Sequence, residues 1–136
     1  MAIEKFTFTG TSSYPNDAEV LKYFQDNATD YFNKIEYTSG NRAITLSSGS
    51  TAKISILMDS TEPIRIVIAN GNTTSVELNT STYPNIAVKT TYGILIYYKS
   101  DSYNVTLIIA KDSNGNTVAI ATSYDSKLYP INLILD

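Results

Sequence analysis

The sequence predicts a mainly β chain, an antiparallel β-sandwich or curled barrel with one N-terminal α-helix over about residues 16–33. Three observations lead there. About nine short apolar segments recur at a spacing of roughly 8–12 residues, separated by breaks rich in Gly, Asn, Ser and Pro. Most of them alternate apolar and polar residues, the period of a strand with one buried face. A single stretch abandons that period for helical spacing. The chain has 136 residues with no linker or low-complexity tract, so residues 1–136 read as one β-rich domain able to bury a core.

Residues 3–9, IEKFTFT, form the first strand, with Phe6 and Phe8 facing in. GTSSYPN breaks it. In NDAEVLKYFQDNATDYFNKI, the residues Ala18, Leu21, Phe24, Ala28, Tyr31, Phe32 and Ile35 follow helical spacing, with Val20 beside the stripe. Asn16 suits the N-cap, and Glu19, three residues on, suits the reciprocal partner of a capping box. Asp17 and Glu19 also favour the positive end of the helix dipole. The Asn-Ala-Thr-Asp stretch at 27–30 is weak helix and marks an end or a kink. The helix needs a surface for Leu21, Phe24 and Tyr31, so it lies across a sheet or plugs one end.

Strands fill the rest. AITLS (43–47) and AKISILM (52–58) flank an SGS turn, with Ile54, Ile56 and Met58 sharing a face. PIRIVIA (63–69) turns Ile64, Ile66 and Ile68 inward and Arg65 outward. NGN (70–72) is a tight-turn signal, followed by a short strand at SVEL and another at IAVKT. YGILIYYK (92–99) is apolar on both faces, as a central strand covered on both sides would be. Tyr97 and Tyr98 point to its opposite faces, so one is expected in the core and the other outside. YNVTLIIAK (103–111) faces Val105, Leu107 and Ile109 inward. DSNGN makes a hairpin to TVAIAT (117–122), and INLIL (131–135) reads as the last strand.

Composition removes several chemistries. The chain has no cysteine and no histidine, so disulfides, thiolate nucleophiles and a Ser-His-Asp triad are impossible. The net charge is -3 and no Lys/Arg cluster exists, which argues against nucleic acid as a partner. The N-terminus has no apolar signal-peptide core, and no apolar run is long enough for a transmembrane helix, so no membrane partner is expected. Sequons at Asn27, Asn72, Asn79 and Asn104 match the roughly three that chance gives for this content of Asn, Ser and Thr.

Candidate sites are few. Asp112, Asn114 and Asn116 place oxygens at alternate positions, as a calcium loop does, but the glycine comes fourth and no distal Glu follows. A hairpin turn is the better reading, and no cofactor is expected. Asp59, Glu62, Glu77, Asp101 and Asp125 are carboxylates without a spacing that singles out a catalytic pair, so the chain reads as non-enzymatic. Three of the four prolines follow tyrosine, at residues 14–15, 83–84 and 129–130. A helix follows the first and a strand the second, so Tyr-Pro is punctuation. Eleven tyrosines remain the unusual feature. Tyr14, Tyr83, Tyr97, Tyr103, Tyr124 and Tyr129 are the candidate binding residues, as interface anchors or as platforms for sugar rings. The competing reading has them sealing core edges.

Gly10 to Tyr37, with its Asn27, Ala28, Tyr31, Phe32 step, resembles the start of small virion structural proteins of tailed bacteriophages and prophages. Gly93 to Ile120 is similar to their paired-strand segment ending in an Asn-Gly hairpin. The resemblance implies a non-catalytic assembly protein of the capsid-decoration, head-fibre or tail-appendage kind, assembled into the virion in the host cytoplasm. Its partners would be other virion proteins and itself, as a homo-oligomer. The alternative is a carbohydrate-binding module that meets surface glycans through its loop tyrosines.

Overall fold

Alternating apolar residues build two facing sheets. The computed structural model describes residues 3–10, 16–49, 52–58, 64–70, 76–80, 83–99 and 103–125. In chain order these hold β1 (Glu4–Thr7), α1 (Asp17–Asn27), β2 (Lys34–Thr38), β3 (Ala43–Ser47), β4 (Lys53–Leu57) and β5 (Ile64–Ala69). There follow β6 (Val76–Thr80), β7 (Ile86–Thr90), β8 (Gly93–Lys99), β9 (Tyr103–Lys111) and β10 (Thr117–Asp125). The first sheet has the order β1-β7-β8-β9-β10 and the second β2-β3-β4-β5-β6. Every pairing is antiparallel, and the sheets do not close into a barrel.

In β4, β5, β8 and β9 the inward faces are those the alternation predicts, whereas in the first strand Phe8 is buried but Phe6 is left 38% exposed at the sheet edge. Ile54, Ile56 and Met58 on one side of β4, and Ile64, Ile66 and Ile68 on β5, are buried. Ile94, Ile96 and Tyr98 of β8 and Val105, Leu107 and Ile109 of β9 meet them from the first sheet. β8 is the middle strand of its sheet. Both of its neighbouring tyrosines, Tyr97 and Tyr98, are buried, so the expected division into one inside and one outside does not hold.

The two open sides of the sandwich are closed differently. On one side edge strands β1 and β2 are bridged by α1. Tyr23 of the helix packs on Phe6 and Phe8, with ring centroids 5.3 and 5.5 Å apart. On the other side β10 approaches β5 and β6. There the Asn70 amide donates to the Ala119 carbonyl at 3.1 Å and accepts from the Ala119 N–H at 3.2 Å. One side chain thus occupies an edge that would otherwise offer unpaired backbone.

The helix departs from its predicted form in three ways. It stops at Asn27, where the Ala28 N–H bonds to the Phe24 carbonyl at 2.8 Å, and not near residue 33. Tyr31 and Phe32 instead follow in a turn, with both N–H groups on the Ala28 carbonyl, and Ile35 belongs to β2. The buried side is Val20, Tyr23 and Phe24, with Leu21 packed beside the core and Ala18 exposed. Asn16 is the N-cap, accepting from the Glu19 N–H at 3.1 Å. Glu19 does not complete a capping box. Its carboxylate accepts from the Thr9 N–H at 2.7 Å and binds the Thr9 hydroxyl, tying the helix start to the end of β1. The predicted strand at 131–135 lies outside the described residues. No described helix is long and apolar enough to cross a membrane.

Candidate functional site

Of the sequence-predicted tyrosines, the structure describes the side chains of Tyr83 and Tyr97. Tyr83 and Tyr97 are 7% and 3% exposed, which leaves neither ring a face for a sugar or a partner. The Arg42 guanidinium lies over the Tyr83 ring at 5.9 Å and donates to its hydroxyl at 3.1 Å. Tyr103 and Tyr124 stand on the paired ends of β9 and β10. Tyr14 and Tyr129 lie outside the described residues, as do Asp59, Glu62 and Asp101. Glu77 and Asp125 fall on β6 and β10. The Tyr83–Pro84 peptide is trans. Asp112 serves its own hairpin: its carboxylate accepts from the N–H groups of Asn114 and Asn116 at 2.9 and 3.0 Å.

Two constellations stand out instead, and the first is polar. Arg42 grips Asp17 with two bonds, Nε to Oδ2 at 2.7 Å and a terminal nitrogen to Oδ1 at 2.6 Å. The Tyr37 hydroxyl donates to the same carboxylate at 2.6 Å. Helix, β2, the β2–β3 turn and the approach to β7 therefore meet in one network. Arg42 adopts a left-handed backbone (φ 52°), strain that the network holds in place. Partial burial pushes the Asp17 carboxyl up, but the bonds from Arg42 and Tyr37 and the Arg42 charge outweigh it and leave the pKa below 3.8. The same bond to Asp17 pushes the Tyr37 hydroxyl up, so it stays a donor at neutral pH. Every bond runs inward between protein groups, so the network acts as a clamp.

The Asp17 shift has a sign that can be tested. A carboxyl whose folded pKa is depressed adds stability above its unfolded value and loses it as pH falls through the folded value. Stability should therefore fall as pH drops below about 4, the ordinary range in which an unfolded aspartate takes up its proton while the folded Asp17 still resists it. Asp17→Asn should lower stability at pH 7 and flatten that acid limb. Urea melts across pH 2–7 measure it (about one melt per pH unit suffices), and an unchanged acid limb in the variant would remove the assignment.

The second constellation is apolar and lies on the outer face of the first sheet. The register sets Lys5, Val88, Leu95, Ile108 and Ile120 in one row across all five strands. Ile108 and Ile120 are 37% and 55% exposed. Ile3 and Tyr92 extend the surface, at 54% and 78%. Between them runs a shallow groove of about 410 Å³ lined by Ile3, Val88, Tyr92, Leu95 and Ile108. Its cause is local. GILIYY and LIIA hold consecutive apolar residues, so a period of two puts aliphatic groups on both faces. The row holds one charge, at its Lys5 end. It offers no acid, base or metal ligand, but it can remove apolar area from water. An antiparallel sheet with one solvated face ordinarily alternates to polar residues there.

The chain matches no family model, no curated protein and no solved structure.

Proposed function

We propose that this chain is a non-catalytic assembly module of a bacteriophage particle, binding neighbouring protein subunits through the outer face of its first sheet. The observation that carries the reading is the Val88–Leu95–Ile108–Ile120 row, in which Ile108 and Ile120 stand exposed where a solvated face would be polar. The particle assignment rests on the resemblance of Gly10–Tyr37 and Gly93–Ile120 to virion structural proteins. The second of these segments spans β8 and β9 and enters β10, the strands that supply most of the row.

Size decides what kind of association follows. Five strands about 4.8 Å apart and about five residues long make a face of roughly 400 Å². That is about half of the ~800 Å² per partner in a standard interface. Contact through this face alone is therefore weak, and it becomes durable where several contacts act together.

Light scattering over a concentration series tests the reading. The wild-type mass should exceed the 15.0 kDa of one chain at high concentration and fall on dilution. The double variant Ile108→Lys, Ile120→Lys should hold the single-chain mass throughout and melt within about 3 °C of wild type, since both side chains are already exposed. A wild-type monomer at every concentration removes self-association and leaves a different particle protein as the partner.

A further inference from the structure

A polar cleft lies at one end of the sandwich. The α1–β2 connection, the β3–β4 turn and the β9–β10 hairpin converge there around Tyr31. One groove, of about 320 Å³, includes Asp30, Tyr31, Asn33, Ser48, Lys111 and Asn116 in its lining. A second, of about 300 Å³, lies against Asp30 and Tyr31 as well and continues to Glu4 and Lys89. Tyr31 and Asp30 are common to both. Each volume sits at the lower end of the ~300–1,000 Å³ typical of small-ligand sites.

The walls are fixed from within. The Thr117 hydroxyl, on a buried side chain, donates to the Tyr31 carbonyl at 2.6 Å. The Asn33 N–H bonds to the Ser47 carbonyl at 3.1 Å. The hairpin is locked by Asp112 and by Gly115 at φ 82°. Against this rigid frame the Asp30, Asn33 and Asn116 side chains are exposed and take no hydrogen bond from any described residue. Tyr31 is half-buried, its ring packed beside the core. The ammonium of Lys111 sits 5.8 Å from the ring centroid. That side chain is exposed, so it can swing aside without breaking a buried contact.

We propose that this cleft binds a pyranose saccharide, with a sugar ring against Tyr31 and its hydroxyls on Asp30, Asn33 and Asn116. A carboxylate accepts from hydroxyls, and an amide both donates and accepts, so the set matches a polyhydroxylated ring. The aromatic ring supplies the apolar contact that water does not compete for. The cleft's carboxylates, Asp30 and Glu4, belong to no group of three or more metal-ligating side chains among the described residues, and the polar lining gives no pocket for an apolar peptide side chain. Lys111 favours an acidic sugar over a neutral one. The reading is independent of assembly, because the cleft shares no residue with the Val88–Ile120 row.

The experiment is an NMR titration of the ¹⁵N-labelled full chain with four probes: methyl glucoside, methyl galactoside, N-acetylglucosamine and glucuronate. At least one should give saturable shifts confined to residues 29–33 and 111–117, with Kd around 1 mM. Strongest binding by glucuronate assigns Lys111 its role, and equal binding by neutral sugars restricts recognition to Tyr31, Asp30 and the amides. Asp30→Ala and Asn33→Ala, both exposed, should each weaken binding by about tenfold. Ile108→Lys, Ile120→Lys should leave it unchanged. Absence of saturable shifts with all four probes overturns the proposal, as does undiminished binding by the Asp30 and Asn33 variants.

Discussion

Replacing Gly93 with alanine should destabilise the protein by about 3 kcal/mol or more, among the largest effects of any single substitution here. Gly93 begins β8, the middle strand of the first sheet, and pairs with Thr90 on one side and Ala110 on the other. Its φ is 156°, and a Cβ there would stand 2.3 Å from the Ile109 carbonyl oxygen and 3.3 Å from the Ala110 Cβ. The obstacle is backbone, which cannot rotate away as a side chain could. Relief requires β9 to move, but β9 is held by β8 on one side and along nine register positions by β10 on the other. A 3 kcal/mol loss lowers the melting temperature by about 10 °C in a chain of this size. Gly40→Ala is the control, since nothing lies within 4 Å of a Cβ at that position. Thermal melts followed by circular dichroism should separate the two clearly. A Gly93→Ala protein that melts with wild type would mean that β8 and β9 do not approach as described.

What the sequence made legible follows from the range of the forces involved. Strand faces were readable because alternation is a local property: Ile54, Ile56 and Met58 share a side whatever the rest of the chain does. The Asn16 cap was readable for the same reason, its partner being three residues away. The Glu19 partner was not readable because Thr9 lies ten residues back. The helix was read too long because Ala28, Tyr31 and Phe32 keep helical spacing while a turn around the Ala28 carbonyl delivers them to the core. β2 was missed because its exposed Lys34 and Glu36 suit an edge strand, where charge discourages further pairing. Ile35 had already been absorbed into the helical stripe.

The sites show the same limit more sharply. Tyr83 looked like an exposed loop residue, and only the fold brings Arg42, forty-one positions earlier, over its ring. Nothing near Asp17 in sequence announces Arg42 or Tyr37 as its partners. The two-faced apolarity of β8 and β9 was visible, but it reads equally as a strand between two layers. That Ile108 and Ile120 stand exposed depends on where α1 packs, which is over the edges β1 and β2 and not over this face. Tyr31 keeps helical spacing in the sequence, so the cleft that forms around it where three connections meet has no local signature.

Phe24→Ala should cost about 3–5 kcal/mol, the usual range for emptying a fully buried phenylalanine site. Phe24 is 0% exposed and packs edge-on against Tyr23, with ring centroids 6.0 Å apart. Tyr23 in turn holds Phe6 and Phe8, so the cavity opens beneath an aromatic cluster that joins helix to sheet. An eleven-residue helix is too short to persist on its own, so α1 survives only through this packing and the clamps at its start. Losing it would uncover β1 and β2 together, and exposed edges invite intermolecular pairing. Urea denaturation should show a lower midpoint with the same slope, because the denatured chain exposes the same surface. Gln25→Ala, one position along on the exposed side, should stay within about 0.5 kcal/mol of wild type. Soluble aggregates should form in Phe24→Ala at urea concentrations just below its midpoint and be absent in Gln25→Ala. A Phe24→Ala loss under about 1 kcal/mol would show that α1 contributes little to the core, and the closure of the β1–β2 side would have to be assigned to other residues.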